Sequence, residues 1–175
     1  RGADTARAAI AGWLTRRYGL PDGMVDPDTM VIPVSGTREA LFMVALAAVP
    51  ERKNGEKPVV LMPNPFYQVY LGAAVTAGAE PVLVPADRQN GFLPNYAALP
   101  DDILSRTALA YYCSPANPQG AIAPMETMKH LVELARAHDF LLVSDECYSE
   151  LYYGDAPTGA AEACAALGDG NGNAM

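Results

Sequence analysis

Short apolar runs alternate along the chain with longer segments whose apolar residues recur at helical spacing. The apolar runs, which predict buried β-strands, cover residues 30–34, 58–62, 81–84, 107–113 and 140–144. The segments that predict helices cover residues 4–18, 38–49, 66–77 and 124–138. Strands that alternate with helices predict an α/β fold, with a mostly parallel sheet and helices on both of its faces.

Composition and charge narrow the class of protein. The chain has 175 residues, of which 50% are hydrophobic and 18% are charged, as expected for one globular domain. Its net charge of -8 argues against a partner such as nucleic acid or an anionic membrane. The three cysteines have no metal-type spacing, so we predict no metal site, and free thiols favour a reducing, cytoplasmic location.

Polar residues follow the predicted strands, and they are the candidate functional residues because ligands bind at the carboxyl ends of strands in such sheets. The first strand leads through Gly36, Thr37 and Arg38 directly into a helix. A helix N-terminus offers unpaired N–H groups to an anion such as phosphate. The same residues also fit a simple helix cap, so the pattern alone leaves both interpretations open.

Three further strand ends carry aromatic or polar residues. Tyr67 fits either stacking on a flat ligand or packing of the next helix against the sheet. Asn117 fits either a plain loop or a ligand contact, and we predict a cis bond between Asn117 and Pro118. Asp145 ends the fifth predicted strand, where a buried carboxylate needs a partner, whereas Glu146 is expected to face the opposite way.

Together the four segments carry a family resemblance. They read SGTREAL from residue 35, PNPFYQVY from residue 63, SPANPQG from residue 114 and SDECY from residue 144. In order and spacing they resemble the large domain of fold-type I pyridoxal-phosphate enzymes, specifically the class I and II aminotransferases. The resemblance extends from residue 8 to about residue 166.

The resemblance implies a role for each candidate residue in binding pyridoxal 5'-phosphate. Gly36, Thr37 and Arg38 would present N–H groups and the Thr37 hydroxyl to the cofactor phosphate. Tyr67 would stack on one face of the pyridine ring, and Cys147 would pack on the other.

Three more roles follow from the same resemblance. Asn117 and Tyr148 would donate hydrogen bonds to the phenolic oxygen of the ring. Asp145 would pair with the protonated ring nitrogen, so that the ring acts as an electron sink.

The resemblance also implies what the chain lacks. The family's catalytic lysine, which holds the cofactor covalently, follows a Ser-rich motif that does not occur here; Lys53, Lys57 and Lys129 all lie outside any such motif. We therefore expect no catalytic residue in this chain. We also expect residues 1–175 to be a partial large domain, truncated at both ends and without the small C-terminal domain, from an enzyme that is a homodimer.

The implied reaction transfers an amino group between an amino acid and a 2-oxo acid. Within the family, segments such as LYYGDAPTGAAEA from residue 151 are most similar to the succinyldiaminopimelate aminotransferases of lysine biosynthesis. Two alternatives remain open at this stage. One is a pyridoxal-phosphate-dependent carbon–sulfur β-lyase, and the other is a non-catalytic ligand-sensing domain of a regulator.

Overall fold

A four-stranded parallel sheet forms the centre of the structure, a computed structural model that describes residues 1–168. Its strands are β1 (Val59–Asn64), β2 (Glu80–Pro85), β3 (Thr107–Cys113) and β4 (Leu141–Asp145). They lie in the order β2-β1-β3-β4, and each neighbouring pair is parallel. All four carboxyl ends therefore meet at one edge of the sheet.

Within residues 1–168, six helices surround the sheet: α1 (Asp4–Tyr18), α2 (Thr37–Ala48), α3 (Gln68–Thr76), α4 (Asp101–Arg106), α5 (Met125–Ala137) and α6 (Ala160–Ala166). Two short 3₁₀ helices, Arg88–Asn90 and Tyr96–Ala98, lie between β2 and α4. The sequence predicted α1, α2, α3 and α5 to within a few residues. It missed α4 and α6, because helices of six and seven residues are too short to show a helical period.

The sheet packs between two layers of helices, which confirms the predicted fold class. Side chains alternate along a strand, so each strand supplies both layers. Towards α2 and α3 the sheet presents Val60, Met62, Leu109 and Tyr111. Towards α1, α5 and α6 it presents Val59, Leu61, Ala110 and Tyr112.

Residues 30–34 do not form the strand that was predicted for them, so the expected count of five strands is wrong. Val31 is buried, but Ile32 and Val34 are 77% and 52% exposed. A strand needs a neighbour that completes its hydrogen-bond ladder. Within residues 1–168, no strand pairs with this segment.

The segment before α2 is held to α1 by the side chain of Arg7, which is 3% exposed. Its Nε donates a hydrogen bond to the carbonyl oxygen of Pro27 at 2.9 Å. Its Nη2 lies 2.8 Å from Asp28 Oδ1 and 2.7 Å from Asp4 Oδ1. The contacts with Arg7 therefore fix Pro27 and Asp28 beside α1, and the chain continues from there towards α2.

None of the helices within residues 1–168 is both long enough and apolar enough to span a bilayer.

The central position of β3 yields a prediction about stability. Leu109 is fully buried in β3, so Leu109→Ala should lower the free energy of unfolding by about 2–5 kcal/mol. Leu83 lies on the edge strand β2 and is 42% exposed, so Leu83→Ala should cost about 1 kcal/mol or less. Urea-induced unfolding of both variants measures the difference, and equal losses would contradict the described packing.

Candidate functional site

A cavity of about 350 Å³ opens at the carboxyl edge of the sheet. Its lining consists of Thr37, Arg38, Leu41, Pro63, Tyr67, Tyr70, Cys113, Asn117, Asp145, Cys147 and Tyr148. Seven of the eight sequence-predicted site residues belong to this lining, and the eighth, Gly36, immediately precedes Thr37. The cavity lies at the carboxyl ends of β1 and β3. The chain passes from β1 to β2 on one side of this point and from β2 to β3 on the other, which makes it the switch point at which α/β sheets bind ligands.

Other cavities are larger but are lined by fewer of the sequence-predicted site residues. One of about 460 Å³ lies at the amino end of β4, beside Phe140 and Leu141, and therefore at the opposite edge of the sheet. Another of about 470 Å³ lies between the 3₁₀ helices and α5. Neither contains any of the sequence-predicted site residues, and a cavity of about 570 Å³ contains only two of them, Asn117 and Tyr148, so we assign the candidate site to the cavity of about 350 Å³.

Asp145 provides the buried charge of the site, because its residue is only 8% exposed. Tyr70 donates a hydrogen bond from its hydroxyl to Asp145 Oδ2 at 2.5 Å, and the backbone N–H of Cys147 donates to Oδ1 at 3.3 Å. Both donors are neutral, and no cation forms an ion pair with Asp145 within residues 1–168. The carboxylate therefore has unused capacity for a cationic partner.

Stacked tyrosines support this carboxylate from behind. The rings of Tyr70 and Tyr111 stack with centroids 4.4 Å apart, and Tyr111 donates its hydroxyl to the carbonyl oxygen of Leu41 at 2.6 Å. Burial raises the pKa of Tyr111 to about 12, and burial together with the bond to Asp145 raises the pKa of Tyr70. Both hydroxyls therefore stay protonated and remain donors at neutral pH.

Tyr67 and Arg38 form the side of the cavity next to α2. Arg38 Nε donates a hydrogen bond to the Tyr67 hydroxyl at 2.8 Å, which raises the pKa of Arg38. The Tyr67 ring meets Tyr70 edge to face, with centroids 5.9 Å apart. These two contacts, with Arg38 and with Tyr70, fix the orientation of the Tyr67 ring, so that the ring can serve as a stacking surface.

The N-terminus of α2 also faces the cavity, through Thr37 and Arg38. The N-cap residue is Gly36, which has no side chain to cap this helix, so the N–H groups of its first turn keep their capacity to bind an anion. Gly36, the N-cap residue, has an extended backbone with φ 163°. This geometry favours the anion-site interpretation of the segment over the simple cap.

Two thiols complete the lining near Asp145. Cys147 donates from Sγ to the Thr37 hydroxyl at 3.3 Å, which joins the end of β4 to the start of α2. Burial raises the pKa of Cys147, and the neighbouring Asp145 raises it further. The same two causes raise the pKa of the buried Cys113 to about 11.

Asn117 and Tyr148 lie at the more exposed side of the cavity. The Asn117–Pro118 peptide bond is cis, which confirms the prediction from the sequence. Tyr148 is 38% exposed. Both residues keep a polar group available at the mouth of the cavity.

Glu146 faces away from the cavity, as its position next to Asp145 predicted. Its carboxylate accepts hydrogen bonds from Tyr18 Oη at 2.5 Å and from the backbone N–H of Ala160 at 2.8 Å. The two adjacent acids therefore serve opposite faces of the sheet and do not form a pair.

Tyr70 and Cys113 are the polar cavity residues that the sequence analysis left without a role. Tyr70 comes three residues after Tyr67, a spacing that places two side chains on the same side of a helix. That spacing was a usable signal for Tyr70. Cys113, at the last position of an apolar strand, gave no comparable signal.

No group of three or more His, Cys, Asp or Glu side chains within residues 1–168 is arranged to hold a metal ion. The lining of the cavity offers one carboxylate, one guanidinium, one carboxamide, hydroxyls, thiols and backbone N–H groups.

Comparisons with known proteins agree with this arrangement. The family model "Aminotransferase class I and II" matches residues 1–171. The chain belongs to this family. It is 34% identical over 152 residues to an LL-diaminopimelate aminotransferase of Dehalococcoides mccartyi, and 35% identical over 148 residues to one of Aquifex aeolicus.

Solved structures of aminotransferases share the fold. An aminotransferase of Neisseria meningitidis superposes with a TM-score of 0.86 at 38% identity over 95% of this chain. Aminotransferase AspB of Helicobacter pylori gives a TM-score of 0.84 at 34% identity, also over 95% of this chain.

The match covers only part of these relatives. The chain aligns with 87% of its own length but spans 37% of the Dehalococcoides enzyme, and it spans 41% of the Neisseria structure. Pyridoxal 5'-phosphate is the cofactor of class I and II aminotransferases.

The charge of Asp145 leads to a testable effect on Cys147. Asp145→Asn should lower the Cys147 pKa, because the negative charge that disfavours the thiolate is removed. At about pH 8 a lower pKa means more thiolate and faster alkylation. Iodoacetamide labelling, followed by mass spectrometry of the Cys147 peptide, measures the rate.

The buried Cys164, which lies outside the cavity lining, provides the internal control for this experiment. Its labelling rate should not change in Asp145→Asn. Unchanged labelling of Cys147 would show that Asp145 does not act on this thiol.

Proposed function

We propose that this chain forms the cofactor-binding part of a longer pyridoxal-phosphate-dependent aminotransferase, which transfers an amino group between an amino acid and a 2-oxo acid. The observation that carries the proposal is the buried carboxylate of Asp145, which lines the cavity. It accepts hydrogen bonds from neutral donors and has no ion-pair partner within residues 1–168. Membership of the aminotransferase family supports the same function.

The residues of the cavity fit the cofactor. A phosphate is an anion and suits the uncapped N-terminus of α2, where Thr37 adds a hydroxyl and Arg38 a positive charge. A protonated pyridine nitrogen is a cation and suits Asp145. The ring between these two groups is flat, and Tyr67 offers an aromatic surface for stacking.

Further contacts are proposed for the remaining lining residues. Asn117 and Tyr148 lie on the exposed side, where each offers a hydrogen-bond donor to the phenolic oxygen of the ring. Cys147 is proposed to pack against the face of the ring opposite Tyr67.

In the proposed mechanism, the protein fixes the position of the negative charge of Asp145 relative to the bound cofactor. When bound, the cofactor supplies an electron sink for bond changes at the α-carbon of the amino acid. Asp145 keeps the ring nitrogen protonated, and Tyr70 holds the Asp145 carboxylate in position. Burial makes this contact strong, because a charge pair in a site of low polarity is weakly screened.

We propose that the catalytic lysine lies outside this chain. Lys53, Lys57 and Lys129 are the chain's lysines, and none of them lines the cavity. Lys53 pairs with Asp139, and Lys129 pairs with Glu126. Residues 1–175 are accordingly proposed to be part of the large domain of the enzyme, which we also propose to act as a homodimer.

The substrate is proposed to be a diaminopimelate. The relatives at 34% and 35% identity are LL-diaminopimelate aminotransferases. The amino-acid sequences of several segments, in contrast, resemble those of succinyldiaminopimelate aminotransferases. Both names describe an amino donor of one chemical class, which supports a diaminopimelate as the donor of this enzyme and a role in lysine biosynthesis. They differ in whether the second amino group is acylated.

The role of Asp145 is tested by Asp145→Asn in the full-length enzyme. Loss of a buried charge pair costs about 3–5 kcal/mol, so the rate of amino transfer should fall about a hundredfold or more. Asp155→Asn is the matched control, because Asp155 is exposed and lies outside the cavity lining. Full activity of Asp145→Asn would contradict the proposed role of Asp145.

The substrate is tested with three compounds on the purified full-length enzyme. We expect glutamate to form from 2-oxoglutarate with LL-diaminopimelate or with its N-succinyl derivative, and the preferred one identifies the donor. Cystathionine should release no thiol product. Release from cystathionine without amino transfer would instead identify a carbon–sulfur β-lyase.

A further inference from the structure

The loop that follows β4 carries two residues of the candidate site but is fastened on the other face of the sheet. It runs from Glu146 to Gly159, between β4 and α6. Cys147 and Tyr148, at its start, line the cavity. The contacts that hold both ends of this loop come from the last turn of α1.

Glu146 is the central contact. Its Oε2 accepts a hydrogen bond from the Tyr18 hydroxyl at 2.5 Å, and its Oε1 accepts from Ser144 Oγ and from the backbone N–H of Ala160, both at 2.8 Å. Burial and this bond to Glu146 raise the pKa of Tyr18, so the phenol remains a donor. One carboxylate therefore joins the end of β4, the start of α6 and helix α1.

Arg17 binds the same loop at three further residues, and its Nε donates a hydrogen bond to Glu150 Oε1 at 2.5 Å. Its Nη2 donates to the carbonyl oxygen of Ser149 at 2.9 Å and to that of Pro157 at 3.2 Å. Its guanidinium carbon also lies 4.7 Å from the centre of the Tyr18 ring. Ser149 and Pro157 are eight residues apart in the loop, so α1 fixes both its beginning and its end.

Gly159 shows how closely these parts approach each other. A Cβ atom built on Gly159 would lie 2.6 Å from Tyr18 Cε1 and 2.9 Å from Glu146 Oε2. The φ angle of Gly159 is -105°, which any residue can adopt. The requirement for glycine is therefore one of space, and the contact between loop and helix leaves no room for a side chain.

We propose that Arg17, Tyr18, Glu146 and Gly159, here called the α1 clamp, position the cofactor site from the opposite face of the sheet. Glu146 is adjacent to Asp145 on one side and to Cys147 on the other, so the clamp fixes the backbone that carries both. In this proposal Glu146 is a positioning residue and does not touch the cofactor. The inference rests on the function proposed above.

The test measures the dissociation constant for pyridoxal phosphate in the full-length enzyme, together with the unfolding temperature of its cofactor-free form. Glu146→Ala removes the clamp and should weaken cofactor binding about tenfold or more, because a small misplacement of binding groups is costly. Tyr18→Phe removes one donor and should weaken binding less. Glu146→Gln keeps one acceptor oxygen for the Ala160 N–H, and its amide N–H can donate to the Tyr18 hydroxyl oxygen, so it should restore most of the affinity.

Glu126→Ala is the matched control, because Glu126 is exposed on α5, pairs with Lys129 and lies outside both the clamp and the cavity lining. It should leave the dissociation constant unchanged. If Glu146→Ala and Tyr18→Phe lower the unfolding temperature but keep the affinity for pyridoxal phosphate, the clamp is only structural and the proposal is overturned.

Gly159→Ala and Tyr18→Phe keep the test decisive if Glu146→Ala does not fold. Gly159→Ala retains all the polar groups but pushes Tyr18 and Glu146 apart, so it should also weaken binding. Unchanged affinity in both variants overturns the clamp proposal, whereas a wild-type enzyme without affinity for pyridoxal phosphate overturns the proposed function itself.

Discussion

The buried carboxylate of Asp145 is the constraint on which the rest of the site depends. A charge in this position is unfavourable unless neighbouring groups stabilise it, and the described residues supply only the Tyr70 hydroxyl and one backbone N–H. Tyr70 in turn stacks on Tyr111, whose hydroxyl is bonded to Leu41 of α2. The carboxylate thus links β4, β3, α3 and α2, and the incomplete neutralisation of its charge is what makes the cavity suitable for a cationic ring.

The parallel sheet explains why groups from distant parts of the sequence meet. Every strand in the order β2-β1-β3-β4 points the same way, so the residues that follow β1, β3 and β4 reach one edge. The N-terminus of α2 reaches that edge as well. The site therefore combines an uncapped helix end with a buried acid, which is a suitable arrangement for a ligand that is anionic at one end and cationic at the other.

Much of this was predictable from the sequence, and the exceptions share a physical cause. The helical and strand periods gave α1, α2, α3, α5 and the four strands, because these patterns are local. Residues 30–34 have a strand-like composition, but a strand also needs a neighbour, which local composition does not encode. The bond between Tyr18 and Glu146 joins residues 128 positions apart, so only the folded structure identifies it. The motifs after β1, β3 and β4 were recognisable because they directly follow strand ends, whereas the motif from residue 35 leads into α2 without a strand before it.

The adjacency of Asp145 and Glu146 has a consequence for insertions and deletions. Because side chains alternate along a strand, adding or removing one residue within β4 would turn each acid towards the other face of the sheet. The carboxylate bonded to Tyr18 would then point into the cavity, and the one bonded to Tyr70 would point towards α1. The sequence would still contain two neighbouring acids after an apolar strand, and a motif search would still find them. Length variation within β4 should therefore be far less tolerated than variation in its apolar side chains.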